Sequence, residues 1–245
     1  MFQRADGVSI SMETDQVAAG SQIPASALPF DVVVARLNLA NEAVRAGAAL
    51  LPACERQRAA RLRFERDRRR FIASRALLRA LLAQRLAIPP EQIALVYGKY
   101  GKPALARHQL QFNLSHSGDY TAYAFACDCE IGIDIEEVRS IPEADAIAAR
   151  IFSRSEQDAY AALPADARSL GFFGCWTRKE AVVKALGEGL RMPLDQFDVS
   201  LAPGEPARLL RIGTMTGEQA GWRLDCLRPV PGIIGAVARK RRGLH

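Results

Sequence analysis

The chain has 245 residues, 49% of them hydrophobic and 24% charged, which is ordinary for a soluble globular protein and enough for one large domain or two small ones. No apolar run approaches the roughly 20 residues that span a bilayer, and the start lacks a charged-then-apolar secretory pattern, so no membrane partner is expected and the location expected is cytoplasmic. The net charge of +6 points to an anionic partner, while five unpaired-looking cysteines and only three histidines (His108, His116, His245) predict reduced thiols and argue against a zinc or histidine-rich metal centre.

Residues 1–27 are small, polar and aperiodic and read as a loose N-terminal extension. The fold is expected to begin at the apolar strand "FDVVVARL", 30–37, followed by a helix at 41–50. A long helix then runs through 55–85, where eleven Arg face three acids and Phe71, Ile72, Leu78, Leu81 and Leu82 form an apolar stripe. Pro89 and Pro90 end it. Such an Arg-rich face is either a solvated surface or a binder of phosphate, which Arg engages bidentately. "YGKYGKP", 97–103, is a loop punctuated by Gly and Pro, and "FNLSHSGDY" leads into the strand "YTAYAFA", 120–126. A turn at 127–130 opens "IGIDIEEV". Helices follow at 143–151, 155–162 and 166–187, then strands near 196–202, 207–212, 221–227 and 232–238, and the basic tail "RKRRGLH", 239–245.

Two of these elements carry chemistry. "EIGIDIEE", 130–137, alternates with period two, so Ile131, Ile133 and Ile135 face the core while Gly132, Asp134 and Glu136 face the other way. The two carboxylates then lie about 6.5–7 Å apart along the strand, and Gly132 is expected to leave room for a ligand. Like charges on one face cost energy unless a cation offsets them, and Mg²⁺ suits one or two carboxylates plus phosphates and water. Glu180, on the helix "FFGCWTRKEAVVKALGEGL", would add a third carboxylate, with Lys179 and Lys184 near enough to meet phosphate. That combination describes a pyrophosphate-handling site. Ser115 and His116 are adjacent in an extended segment and point to opposite faces, so they do not form a nucleophile–base pair; as donors to a phosphate they make better sense.

Together "YGKYGKP", "FNLSHSGDY", "IGIDIEEV" and "WTRKEAVVKALGEGL" resemble the 4′-phosphopantetheinyl transferases, in particular the larger monomeric type named for the surfactin synthetase activator. The resemblance spans about residues 30–238. It implies that coenzyme A binds between two similar halves and donates its 4′-phosphopantetheine arm to a serine of an apo acyl or peptidyl carrier protein, releasing 3′,5′-ADP. It further implies that Asp134, Glu136 and Glu180 bind Mg²⁺, that Glu180 is the base and Lys184 a pyrophosphate contact. Asn113, Ser115 and His116 match the stretch around the 3′-phosphate and adenosine, joined by Lys99, Gly101 and Lys102 of the loop. Arg58 falls where the family carries a basic residue for that phosphate, with Arg61 as a rival. Peptide or polyketide biosynthesis is the implied setting.

The expected fold is α+β: two similar subdomains related by a pseudo-twofold, each a small antiparallel sheet packed on a long helix. The first, 28–129, supplies the nucleotide contacts and the second, 130–238, the metal and catalytic residues. Two other classes remain at this point. A nucleic-acid binder would use the Arg helix, against which the scarcity of exposed-looking aromatics argues. A Mg²⁺-dependent nuclease or phosphatase would use the same carboxylates without a carrier protein.

Overall fold

The structure, a computed structural model, describes residues 3–5, 8–13, 30–187, 192–213 and 218–241. Short strands Gln3–Ala5 (β1) and Val8–Glu13 (β2) pair antiparallel, and β2 runs parallel to Phe30–Arg36 (β3). The expected loose extension is therefore strand in these two stretches. The alternation of Val8, Ile10 and Met12 was the signal for it; residues 14–29 lie outside the described ones.

Asn41–Leu50 (α1) is the helix expected there. The single long Arg-rich helix is instead two, Ala53–Ala60 (α2) and Glu65–Leu86 (α3). Among its residues α2 buries only Glu55 and Ala59, so no apolar stripe continues through 61–64 to hold one straight helix against the core. α3 ends where Ala87 turns left-handed at φ 54° ahead of Pro89 and Pro90. A hairpin follows, Leu95–Tyr97 (β4) with Pro103–Leu105 (β5), and then Gln111–Ser117 (β6) and Tyr120–Ala126 (β7). The Ser-His stretch is thus itself a strand. The first sheet has the order β1-β2-β3-β7-β6, which leaves β6 on an edge.

The second half opens with Cys129–Glu137 (β8) and continues through Ala144–Ile151 (α4), Arg154–Ala161 (α5) and the long helix Arg168–Leu186 (α6). Asp198–Val199 (β9) pairs with Leu209–Arg211 (β10), and Trp222–Leu227 (β11) and Ile233–Arg241 (β12) complete a sheet of order β11-β12-β8. Arg239, Lys240 and Arg241, expected in a basic tail, belong to β12, and Arg239 pairs with Asp225 at 2.8 Å. Residues 242–245 lie outside the described ones.

Four layers result, in an α+β arrangement. Leu78, Leu81 and Leu82 of α3 pack on Val33, Tyr123 and Phe125 of the first sheet. The opposite face of that sheet, Val32, Val34, Ala122 and Ala124, meets Ile131, Ile133 and Ile135 of β8. α6 covers the remaining face of the second sheet, with Ala181, Val182 and Ala185 clustered with Ala236 and Ala238. β8 is therefore buried on both sides, and its polar face looks onto a helix.

Each long helix is also tied to the short helix before it by a buried ion pair: Arg79 with Glu55, and Lys179 with Glu156, both at 2.8 Å. Glu156 additionally closes a capping box with Ser153 and accepts the Val199 amide at 2.7 Å. Removing one member of such a pair strands its partner's charge in the interior. Glu156→Ala is expected to cost about 3–5 kcal/mol in denaturant unfolding. Asp158→Ala, which breaks the exposed Arg154–Asp158 pair on the same helix, should cost no more than about 1 kcal/mol.

Candidate active site

The halves meet where edge strand β6 lies alongside edge strand β8. No backbone ladder joins them there. The Ile133 amide donates to Asn113 Oδ1 at 2.9 Å, the Ile135 amide to Ser115 Oγ at 3.3 Å, and the Glu137 amide to Ser117 Oγ at 3.0 Å. Three side chains at alternate positions thus satisfy the alternate amides of β8, which would otherwise be buried without partners. Each serine also donates its single proton to an acid: Ser115 to Asp134 Oδ1 at 2.8 Å and Ser117 to Glu136 Oε2 at 2.7 Å.

Beside this seam is a cleft of about 570 Å³, walled by Tyr100, Gly101 and Lys102 on one side and by Trp176, Glu180 and Lys184 of α6 on the other. Asn113, Ser115, His116, Asp134 and Glu136 also face it. Asp134 is only 4% exposed, and its Oδ1 is held by the Lys184 ammonium at 2.6 Å. Its Oδ2 has no hydrogen-bond partner, and neither has Glu180 Oε1. Burial raises the Glu180 carboxyl above the usual glutamate range and the Asp134 charge adds to the shift, against the opposing pull of Lys184. Glu136 is raised as well, by burial first, with the Ser117 hydrogen bond working the other way.

Among the described residues no three His, Cys, Asp or Glu side chains are gathered closely enough to cage a metal ion. The donor set nevertheless suits a hard cation: two buried carboxylate oxygens lack partners, and the acids repel one another. Phosphate oxygens and water would complete the coordination.

Several expected roles change with the structure. Gly132 offers no room to a ligand: a Cβ there would lie 2.1 Å from the Ala181 carbonyl oxygen and 2.3 Å from the Ala185 amide nitrogen, so the glycine exists to let α6 press on β8. Lys179 is fully buried, bonded to Glu156 and to the Leu194 and Phe197 carbonyls, and does not line the cleft. Ser115 spends its one donor on Asp134 and both acceptors on Ile135 and Lys184, which leaves it nothing to give a phosphate. Lys102 donates to the carbonyls of Ile131 and Ala185, each at 3.1 Å. Arg58 and Arg61 do not line the cleft, and nor does Lys99, whose ammonium lies 5.5 Å from the Tyr100 ring centre.

The arginine that does line it is Arg75, 9% exposed, set over the rings of Phe71 and Tyr97, with Nη1 lacking a partner. Arg58 shares the Phe71 ring with it at 5.6 Å. In the sequence Arg75 is inconspicuous, since it sits inside the apolar half of the helix. That placement was itself a signal, since a cation amid apolar neighbours needs a partner.

Residues 130–227 match the sequence model of the 4′-phosphopantetheinyl transferase superfamily, and residues 40–128 that of the 4′-phosphopantetheinyl transferase N-terminal region. The chain is 36% identical over 195 residues to the 4′-phosphopantetheinyl transferase HetI of Nostoc sp., covering 78% of this chain and 79% of that protein. It is 37% identical over 156 residues to the 4′-phosphopantetheinyl transferase psf-1 of Bacillus pumilus, with 63% and 66% covered. To the human L-aminoadipate-semialdehyde dehydrogenase-phosphopantetheinyl transferase it is 33% identical over 161 residues, with 61% and 52% covered. The chain belongs to the 4′-phosphopantetheinyl transferase superfamily.

The contact between Gly132 and α6 gives a test of how the acids are brought together. Gly132→Ala should push α6 off β8, so that thermal stability and transferase activity fall together. Full activity in a stably folded Gly132→Ala protein would show that the spacing of Asp134 and Glu180 does not depend on this contact.

Proposed function

We propose that this enzyme transfers the 4′-phosphopantetheine arm of coenzyme A to a serine of an apo acyl or peptidyl carrier protein and releases 3′,5′-ADP, acting as a cytoplasmic monomer in peptide or polyketide biosynthesis. The observation that carries the reading is the pair of unpartnered carboxylate oxygens, on Asp134 and Glu180, facing one cleft beside Lys184 within this family's scaffold. In the reaction the carrier serine oxygen bonds to the β-phosphorus, the bond from that phosphorus to the bridging oxygen breaks, and the serine proton passes to Glu180. A serine hydroxyl is a weak nucleophile at neutral pH, so its proton must be taken. The raised pKa of Glu180 makes its carboxylate a stronger base than an exposed glutamate.

Asp134, Glu136 and Glu180 would hold Mg²⁺ together with oxygens from phosphate and water, and the ion would offset charge on the diphosphate. Lys184 holds Asp134 in place and brings a positive charge to the phosphate side of the cleft. Phosphoryl transfer needs mainly positioning and charge stabilisation, which these groups offer. Arg75, with its unpartnered Nη1, takes the part expected of Arg58 at the 3′-phosphate, together with His116 on the exposed side of β6.

Arg75→Gln and His116→Ala should each weaken coenzyme A binding far more than dephospho-coenzyme A binding, by roughly 10- to 100-fold per lost charge-assisted bond. Equal losses for the two ligands in calorimetry would move the 3′-phosphate elsewhere.

Glu180→Gln should lower carrier modification, followed by intact-protein mass spectrometry with coenzyme A, by about 10²-fold or more. Its fold should be no less stable than the parent's. A raised carboxyl pKa means that the folded protein binds this proton more tightly than the unfolded chain does, so ionisation weakens the fold as pH rises through that value. In the parent enzyme, activity should decline on acidification as the base is protonated. Undiminished transfer by Glu180→Gln would remove Glu180 from the chemistry.

A further inference from the structure

We propose that Lys102 is a positioning residue: its ammonium ties the hairpin that walls the cleft to the second half, and it is not a ligand of the coenzyme's phosphates. The proposal rests on the reading of the cleft as a coenzyme A site. Lys102 lies in the first half, yet both hydrogen bonds of its ammonium, each 3.1 Å, go to backbone carbonyls of the second: Ile131 on β8 and Ala185 on α6.

Both carbonyls need a donor. Ala185 is in the last turn of α6, where an α-helix leaves its carbonyls without partners and where a cation is favoured by the helix dipole. Ile131 is on the edge of the second sheet that faces the first half, in line with Ile133, Ile135 and Glu137, whose amides take Asn113, Ser115 and Ser117. Lys102 therefore adds a further rung to the seam and caps α6 from the other half. Its aliphatic stem passes Gly187, the left-handed residue (φ 75°) that ends α6, at 3.6 Å from where a Cβ would sit.

Two of the three ammonium donors are thus committed. Burial lowers the Lys102 pKa, opposed by the charge of Glu130, as expected of an ammonium sunk into a joint. What it holds is the turn between β4 and β5. That turn is closed by the Gly98 amide on the Lys102 carbonyl and by the Gly101 amide on the Gly98 carbonyl, both at 2.9 Å. Tyr100 and Gly101, which line the cleft, are carried on it. Freeing Lys102 would loosen the whole wall and so weaken every ligand that uses it, with or without a 3′-phosphate.

Calorimetry of Lys102→Met should show coenzyme A and dephospho-coenzyme A weakened by the same factor, roughly 10-fold, with partial rescue in Lys102→Arg. Loss confined to coenzyme A, or no loss for either ligand, would overturn the proposal. Amine acylation of the unmodified enzyme, read by peptide mass spectrometry, decides even if Lys102→Met does not fold. Lys102 should react far more slowly than the exposed Lys99 in the free protein, and saturating coenzyme A should add no further protection. Reaction as fast as Lys99, followed by shielding with coenzyme A but not with dephospho-coenzyme A, would make it a phosphate ligand. If the unmodified enzyme binds neither ligand, the functional reading fails, while labelling of the free protein still reports whether Lys102 is tied to Ile131 and Ala185.

Discussion

Strands β6 and β8 are each the last strand of their own sheet, and the hydrogen bonds that join them come from three side chains. Asn113, Ser115 and Ser117 stand in for a backbone ladder, meeting the amides of Ile133, Ile135 and Glu137 at a constant offset of 20 residues. The two serines do more than fill a hydrogen-bonding need. By accepting from β8 and donating to Asp134 and Glu136, they fix the direction of both carboxylates relative to the first half. The union of the halves and the aim of the acids are one set of bonds, which explains why a stretch that looks like a nucleophile motif contains no activated nucleophile.

Helix α6 divides its charges between two tasks. Lys179 and Glu180 are neighbours in sequence, about 100° apart around the helix, and their environments are opposite. Lys179 is fully satisfied by Glu156 and two carbonyls, and it locks the rotation of α6 against the second half. Glu180 is left with an unpartnered oxygen and a raised pKa. A fold that bears such a carboxylate loses stability at that point, and saturated buried pairs nearby offset the loss. One helix thus carries a firmly anchored side and a reactive one.

Much of this was legible beforehand. Period-two alternation in "EIGIDIEE" assigned the isoleucines to one face and the acids to the other, as the structure has them, because that pattern depends only on strand geometry. It does not reveal that the polar face meets a helix, and so Gly132, which serves α6, looks in the sequence like space for a ligand. The same limit applies to Lys179, Ser115 and Lys102, each of which looks like a phosphate donor until its distant partner is known. Their roles depend on Glu156, Asp134 and Ala185, which are 23, 19 and 83 residues away. Helix bounds are legible where the apolar stripe is continuous, as in α6, and not where it lapses, as at 61–64.

The absence of a side chain at Gly132 has a mechanical consequence. Most helices rest on a sheet through a layer of side chains whose rotamers can shift and absorb small displacements. At Gly132 the backbone of α6 lies directly on that of β8, with the Ala181 carbonyl oxygen only 2.1 Å from where a first carbon would be. Nothing compressible separates the strand that carries Asp134 from the helix that carries Glu180 and Lys184. Those three groups should therefore travel as a single stiff plate, and any breathing that admits a bulky partner must occur across the seam with β6, where every bond runs through a side chain.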